Sequence, residues 1–143
     1  MLMNDALRSE WALRLLSIVR IFVALLYLQH GMSKYFAFPA AAPPNFHALS
    51  MYGLAGAIEI IGSLLLLLGL FTRPAAFIMS GEMAVAYFIF MNRPARNFFP
   101  LLNGGELEAL FCLFFFTFFL FGGGSWSVDA MLSRTRSARH VSS

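Results

Sequence analysis

Charged residues and cysteine are both scarce in this sequence of 143 residues. Asp, Glu, Lys and Arg together make up 12% of the chain, about half of the roughly 25% found in soluble domains. Hydrophobic residues make up 59%, which leaves too little charge to cover a globule that faces water on all sides. Intrinsic disorder is excluded as well, because it requires low hydrophobicity and high net charge. The composition therefore predicts one domain that is surrounded by lipid.

Several catalytic and cofactor motifs are missing. The single cysteine, Cys112, excludes an intrachain disulfide and a CxxC redox pair. The sequence has no Ser/His/Asp set and no phosphate-binding loop. Only His30 of the three histidines falls in an apolar segment, so one chain does not supply both axial ligands of a membrane haem. No metal-site spacing is present, and the net charge of +3 is spread along the chain, so we predict neither a metal nor a nucleic-acid partner.

Four apolar segments are candidates for membrane spans. A helix needs about 20 mostly apolar residues to cross about 30 Å of hydrocarbon. The candidate segments are residues 13–33, 52–71, 75–91 and 106–121. We therefore predict an all-α, integral membrane four-helix bundle over residues 13–129. Residues 1–12 are expected to form an interfacial segment, and residues 130–143 a mobile cytoplasmic tail.

The distribution of Lys and Arg predicts the orientation, because these residues concentrate on the cytoplasmic side. Six arginines flank the spans on the side of both termini: Arg8, Arg14, Arg73, Arg134, Arg136 and Arg139. The other side has Lys34, Arg93 and Arg96. Both termini are thus predicted to be cytoplasmic, in a multi-pass protein of the cell inner membrane.

A cleaved signal peptide is the alternative interpretation of the first span, with cleavage near Ala40. Gln29, His30 and Lys34 interrupt the apolar run before that site. A retained helix is the interpretation that we favour.

Six ionisable residues lie within or at the ends of the apolar segments, where a charge costs about 2.5–3.5 kcal/mol at the bilayer centre. They are Arg20, His30, Lys34, Glu59, Glu82 and Glu106. At a rise of 1.5 Å per residue, Arg20 and Glu82 reach similar depths, which predicts a structural ion pair between them. The other four fall toward the opposite side of the membrane and form a predicted outer cluster.

Helical spacing places polar or small residues on one stripe of each of three segments. The first stripe contains Arg20, Tyr27, Gly31 and Lys34, and the second contains Tyr52, Gly56, Glu59 and Ser63. The stripe of the last segment contains Asn103, Glu106, Leu110, Leu113 and Thr117. We expect these stripes to face the interior of the bundle.

Two interpretations of the buried charges stay open. Paired charges act as struts that fix helix register, and the predicted Arg20–Glu82 pair fits this role. A crowded polar cluster instead forms a cavity for a small ligand, a proton or a quinone headgroup. We predict ligand binding by His30, Lys34, Glu59, Asn103 and Glu106.

In this order and at this spacing, five motifs resemble the DoxX family of small four-helix membrane proteins. The resemblance extends from about Arg14 to Asp129. The motifs are Arg20 with Gly31-x-x-Lys34; Glu59-x-x-Gly62; Leu66-x-x-Gly69-x-x-Thr72-Arg73; Asn103-Gly104-Gly105-Glu106; and Gly124-x-Trp126-Ser127-x-Asp129.

The resemblance implies a left-handed four-helix bundle in the cytoplasmic membrane and a link to sulfur and redox metabolism. One member of the family is the membrane subunit of a thiosulfate:quinone oxidoreductase. The expected role is therefore an accessory or quinone-handling subunit, with quinone as the possible cofactor and with an oxidoreductase or a second copy of the chain as the possible partner. A small-molecule or proton-coupled transporter and a purely structural assembly protein are the alternatives. Whether the chain is an enzyme stays open.

Overall fold

The computed structural model describes residues 5–44, 46–91 and 98–141, which fold into helices joined by turns, without strands in these ranges. The helices are α1 (Asp5–Phe36), α2 (Met51–Leu68), α3 (Thr72–Val85), α4 (Pro100–Asn103), α5 (Glu106–Phe121) and α6 (Val128–Val141). A π-helical segment, Ala86–Met91, continues α3. The predicted all-helical class is confirmed, and helices occupy all four predicted apolar segments.

The ends of the helices follow local backbone chemistry. α2 begins at Ser50, whose side chain accepts a hydrogen bond from the backbone nitrogen of Gly53. It ends at Gly69, whose positive φ of 67° lets its N–H reach the carbonyls of Leu65 and Leu66. This turn brings α3 back at Thr72, three residues earlier than predicted.

Four helices, α1, α2, α3 and α5, are the long helices of the apolar segments; α1 packs along α2, and α3 packs along α5. α2 also contacts α3, and α1 contacts α5. A continuous hydrophobic core lies between them: Val23, Ala24, Tyr27, Leu66, Ala76, Met79, Met83, Phe111, Phe115 and Phe118. Arg20 and Tyr27 on α1 and Glu59 and Ser63 on α2 are buried, as the stripes predicted, whereas Tyr52, at the start of the second stripe, is 48% exposed.

The predicted inward face of α5 is wrong. Leu110 and Leu113 are exposed, whereas Phe111, Phe115 and Phe118 form the buried face of the helix. Leucine and phenylalanine suit lipid and protein core equally well, so the apolar periodicity of α5 does not distinguish its two faces.

Two helical segments, Leu7–Phe36 and Met51–Leu68, are long and apolar enough to cross a membrane, as judged over the described residues. Only 28% and 33% of their most apolar stretches are buried inside the protein. Most of their apolar surface therefore faces outward.

Candidate functional site

Arg20 is completely buried, and backbone carbonyl groups surround its guanidinium. Its Nε donates to the carbonyl of Gly123 at 2.9 Å, and one terminal nitrogen donates to the carbonyl of Trp126 at 2.8 Å. The other terminal nitrogen donates to the carbonyls of Leu66 and Leu67. Arg20 thereby joins the C-terminal end of α2 to the glycine-rich turn after α5. We call Arg20 and these four carbonyls the Arg20 joint.

Asp129, at the start of α6, reinforces this end of the protein. Its carboxylate accepts hydrogen bonds from the backbone nitrogens of Phe71 at 3.0 Å and Thr72 at 2.9 Å. These bonds satisfy N–H groups at the N-terminus of α3, where negative charge is favourable. They also hold Phe71 at a φ of 48°, in the left-handed region that costs a non-glycine residue about 1–2 kcal/mol.

The glycines of the family-like motifs let the chain come together at this joint. A Cβ atom on Gly69 would lie 2.4 Å from the Cβ atom of Ser127. A Cβ atom on Gly124 would lie 2.3 Å from Oγ of Ser17. The motif that contains Gly69 and the motif that contains Ser127 therefore pack directly against each other at the Arg20 joint.

The predicted ion pair between Arg20 and Glu82 is not formed. Arg20 binds the carbonyls described above, and within the described residues no ion pair joins it to Glu82. Oε2 of Glu82 instead accepts a hydrogen bond from the hydroxyl of Tyr27 at 3.2 Å. Backbone carbonyls at a helix end can satisfy the N–H donors of a guanidinium, and side-chain spacing does not reveal them.

A cavity of about 430 Å³ lies among α1, α2, α3 and α5, toward the end of the protein remote from the Arg20 joint. We call it the glutamate pocket. Its walls are mostly apolar. Its ionisable lining residues are Tyr27, His30, Lys34, Tyr52, Glu59, Glu82 and Glu108.

Lys34 and Glu59 form the ion pair of the pocket, with Nζ of Lys34 2.6 Å from Oε1 of Glu59. Glycines place them together, because a Cβ atom on Gly31 would lie 2.9 Å from the carbonyl oxygen of Gly56. α1 and α2 can approach this closely only where a side chain is missing. Two members of the predicted outer cluster, Lys34 and Glu59, are thus in direct contact.

Three buried carboxylate oxygens of the pocket have no hydrogen-bond partner among the described residues. They are Oε2 of Glu59, Oε1 of Glu82 and Oε2 of Glu108. Glu59 is only 3% exposed. Three more buried oxygens without a partner among the described residues lie outside the pocket, the hydroxyls of Ser63, Thr72 and Ser125. What distinguishes the pocket is that its three unpartnered atoms are carboxylate oxygens around one cavity, because an unsatisfied buried polar atom costs about 1–3 kcal/mol and a charged one costs more.

Aromatic rings fix the floor of the pocket. The Tyr27 ring packs edge-on against Phe111 and Phe115 at centroid distances of 4.9 and 4.8 Å. His30 lies beside the same cluster, 5.9 Å from Phe111. The Tyr27 hydroxyl is thereby held toward Glu82, and the imidazole of His30 is held at the pocket wall.

Of the five predicted ligand-binding residues, the structure brings His30, Lys34 and Glu59 together in the pocket. Glu106 is exposed and does not line the pocket. Asn103 lies elsewhere as well. Its side chain donates to the Tyr87 hydroxyl at 3.3 Å and accepts from the backbone nitrogen of Gly105 at 2.7 Å, so it shapes the turn before α5.

Sequence reasoning missed Glu108, and it placed Glu82 with the wrong partner. Glu108 shares a helical face with Phe111 and Phe115, at spacings of three and four residues. That spacing was a usable signal, but it becomes informative only once the buried face of α5 is known. Among the described residues, no group of three His, Cys, Asp or Glu side chains is arranged to hold a metal ion.

Two comparisons with known proteins give a match. A family model described as DoxX matches residues 15–92. An uncharacterized protein of Haemophilus influenzae (strain Rd) is 46% identical over 117 residues, which cover 80% of this chain and 87% of that protein. No solved structure matches.

Proposed function

This chain belongs to the DoxX family, and we propose that it is a multi-pass membrane protein whose glutamate pocket binds a quinone headgroup. In this proposal it serves as an accessory or quinone-handling subunit in redox or sulfur metabolism. Its partners are the lipid bilayer and an oxidoreductase or a second copy of the chain.

The outward-facing apolar surface supports the membrane part of the proposal. Large apolar side chains on all four long helices are exposed, among them Phe22, Ile61, Phe77 and Phe116. Such surface is stable in acyl chains and unfavourable in water. We propose that α1, α2, α3 with its π-helical continuation, and α5 cross the inner membrane as a four-helix bundle.

The charge distribution supports cytoplasmic termini. The backbone nitrogen of Ser125 donates to the carbonyl of Leu13, so α6 begins beside the N-terminal part of α1. Six arginines lie on the terminal side, against one lysine and two arginines on the other. The Arg20 joint then lies toward the cytoplasm, and the glutamate pocket opens toward the opposite half of the membrane.

The three unpartnered carboxylate oxygens carry the ligand-binding proposal. A bound molecule that presents hydroxyl or N–H groups would satisfy them, while the apolar walls accommodate a ring or a hydrocarbon tail. The pocket volume of about 430 Å³ lies in the range of small-molecule sites, roughly 300–1,000 Å³.

The residues present fit a quinone headgroup. When bound, a quinone supplies coupled electron and proton transfer. Lys34 and His30 would donate hydrogen bonds to ring oxygens, and the free oxygens of Glu59, Glu82 and Glu108 would hold protons close to them. The aromatic floor of Tyr27 and Phe111 would orient a flat ring and exclude water from it.

Quinone titration of the protein in lipid nanodiscs tests the proposal, with decylubiquinone and its reduced form, decylubiquinol, as probes, because the hydroxyl groups of the reduced ring can donate to the free carboxylate oxygens. Glu108→Gln should weaken binding about tenfold, equivalent to about 1.4 kcal/mol. Glu106→Gln is the matched control, since Glu106 lies two residues away on the same helix and outside the pocket. Wild-type protein that binds neither probe, or equal weakening by both substitutions, would contradict the proposal.

A proton-coupled transporter is the second candidate, and the unpartnered carboxylates of the pocket favour it too. It predicts ion or solute flux in proteoliposomes that depends on Glu59. Flux that is unchanged by Glu59→Gln would exclude this candidate and leave quinone binding unaffected.

A further inference from the structure

Gly81 occupies an unusual position in the middle of α3. A glycine inside a helix destabilises it by comparison with alanine, so a packing or turn requirement is normally expected there. Neither is present, because a Cβ atom added to Gly81 would meet no heavy atom within 4 Å. Gly62, by contrast, lies against Met79, where a Cβ atom would come within 2.5 Å of the sulfur. The missing side chain at position 81 therefore leaves open space.

That open space belongs to the glutamate pocket, whose lining includes Gly81. The neighbouring lining residues Leu54 on α2 and Ile78 on α3 are 58% and 55% exposed, so they line the cavity and also face outward. Both are apolar. Leu54, Ile78 and Gly81 are thus exposed lining residues on α2 and α3, and we call them the rim of the pocket.

In the proposed membrane bundle, this rim lies deeper in the bilayer than an opening to water would. Gly81 is nine residues beyond Thr72, about 14 Å along the helix axis at 1.5 Å per residue. This is close to the middle of a hydrocarbon layer about 30 Å thick. The turn at Gly69 holds α2 and α3 together near the Arg20 joint, so the two helices have room to separate only further along.

We propose that the glutamate pocket opens sideways into the bilayer between α2 and α3, and that Gly81 keeps this opening clear. The ligand is then a lipid-soluble molecule with a hydrogen-bonding head, which enters from the acyl chains and not from water. This inference rests on the membrane bundle proposed above and adds the route and the solubility class of the ligand.

Glu59 supplies an independent observation that points to a ligand. Its carboxylate is almost completely buried, Oε1 is paired with Lys34, and Oε2 has no partner among the described residues. A molecule that enters past Gly81 reaches this atom at the inner wall of the same cavity. The opening and the unsatisfied group thus belong to one site.

Two carbodiimides with the same chemistry and opposite solubility test the route. A protonated carboxyl adds to the carbodiimide to give an O-acylisourea, which rearranges to a stable N-acylurea without a leaving group. Dicyclohexylcarbodiimide partitions into bilayers, and dimethylaminopropyl carbodiimide stays in water. Protein in nanodiscs is labelled with each in mildly acidic buffer, and modification of each glutamate is followed by peptide mass spectrometry. Exposed Glu10 and Glu106 report the activity of both reagents.

The lipid-soluble reagent should modify the pocket glutamates faster than the water-soluble one. Gly81→Leu fills the opening and should slow this labelling several-fold, while Gly81→Ala should label like wild type. Ile78→Trp narrows the same rim from the next turn of α3 and carries the test if Gly81→Leu does not fold.

Three results would overturn the proposal: equal labelling of the pocket by both reagents, no pocket labelling by the lipid-soluble reagent, or wild-type rates in Gly81→Leu and Ile78→Trp. The quinone titration and the labelling experiment can fail independently of each other. Protein that binds no quinone but is labelled as expected has a lipid-facing pocket for another molecule. Protein that binds quinone but is labelled equally from water has a quinone site with an aqueous opening.

Discussion

Arg20 and the pocket glutamates lie toward opposite ends of the helical core and are all buried at least in part, but their polar atoms are treated in opposite ways. At the Arg20 joint every guanidinium nitrogen donates to a backbone carbonyl. Around the glutamate pocket, three carboxylates each keep one oxygen without a partner among the described residues. Satisfied polar groups stabilise a fold, whereas unsatisfied ones are tolerated mainly where function requires them. Under the proposed function, the joint is the structural end of this protein and the pocket is its functional end.

Arg20→Met should have the largest effect on stability, a loss of about 3–5 kcal/mol, because it leaves several buried carbonyls without their donor, at about 1–3 kcal/mol each. Arg14→Met is the control, since Arg14 forms only a surface pair with Glu10, and such pairs contribute about 0–1 kcal/mol. Unfolding in detergent, followed by circular dichroism, measures both. If the two variants unfold alike, the joint does not hold the protein together.

The double variant Arg20→Met/Glu82→Met tests whether Arg20 is held by backbone carbonyls, as in the structure, or by an ion pair with Glu82, as the sequence predicted. Two residues that neutralise one another should be replaceable together at little cost. Because Arg20 binds carbonyls and Glu82 binds Tyr27, we expect no rescue in the double variant. A double variant that unfolds like wild type would support an ion pair between Arg20 and Glu82 and contradict the separate roles of the joint and the pocket.

Asp129→Ala should cost about 1–2 kcal/mol, since it removes the N-terminal cap of α3. Asp129→Asn keeps one acceptor oxygen and should lie between alanine and wild type. The same unfolding assay applies. An asparagine variant as unstable as alanine would show that the charge, and not the hydrogen bonds, supplies the effect.

Gly81→Ala should raise stability by about 0.5–1 kcal/mol, because alanine favours the helix and its methyl group meets only open space. Gly62→Ala is the matched control in α2 and should destabilise, since its methyl group would press on Met79. Stabilisation by both substitutions, or by neither, would contradict the different packing assigned to these glycines.

Glu82→Gln should have the smallest effect on stability, within about 0.5 kcal/mol, because it exchanges one poorly satisfied polar group for another. It should nevertheless weaken quinone binding in the nanodisc titration. A large loss of stability would instead show that Glu82 has a structural role, like Arg20, although it lines the pocket.

The sequence was sufficient to predict the helices and most of the buried faces of α1 and α2. It was insufficient to predict the buried face of α5. Arg20, Tyr27, Lys34 and Glu59 stand out because polar groups in apolar helices must turn inward. On α5 nearly every residue is apolar, so nothing marked Phe111 as buried or Glu106 as exposed. The acceptors of Arg20 were hidden for another reason, since carbonyl groups belong to every residue and only the folded turn brings them together.

The Arg20 joint also has a consequence for the order in which the chain is made. Arg20 belongs to the first apolar helix, whereas its acceptors at Gly123 and Trp126 lie 103 and 106 residues further along. Synthesis from the N-terminus supplies Leu66 and Leu67 early, and it supplies the remaining acceptors only after α5 has been made. A nascent chain that stops before Gly123 thus contains α1, α2, α3 and α5 but lacks two of the carbonyls that bind Arg20. The glycine-rich turn after α5 therefore completes the Arg20 joint.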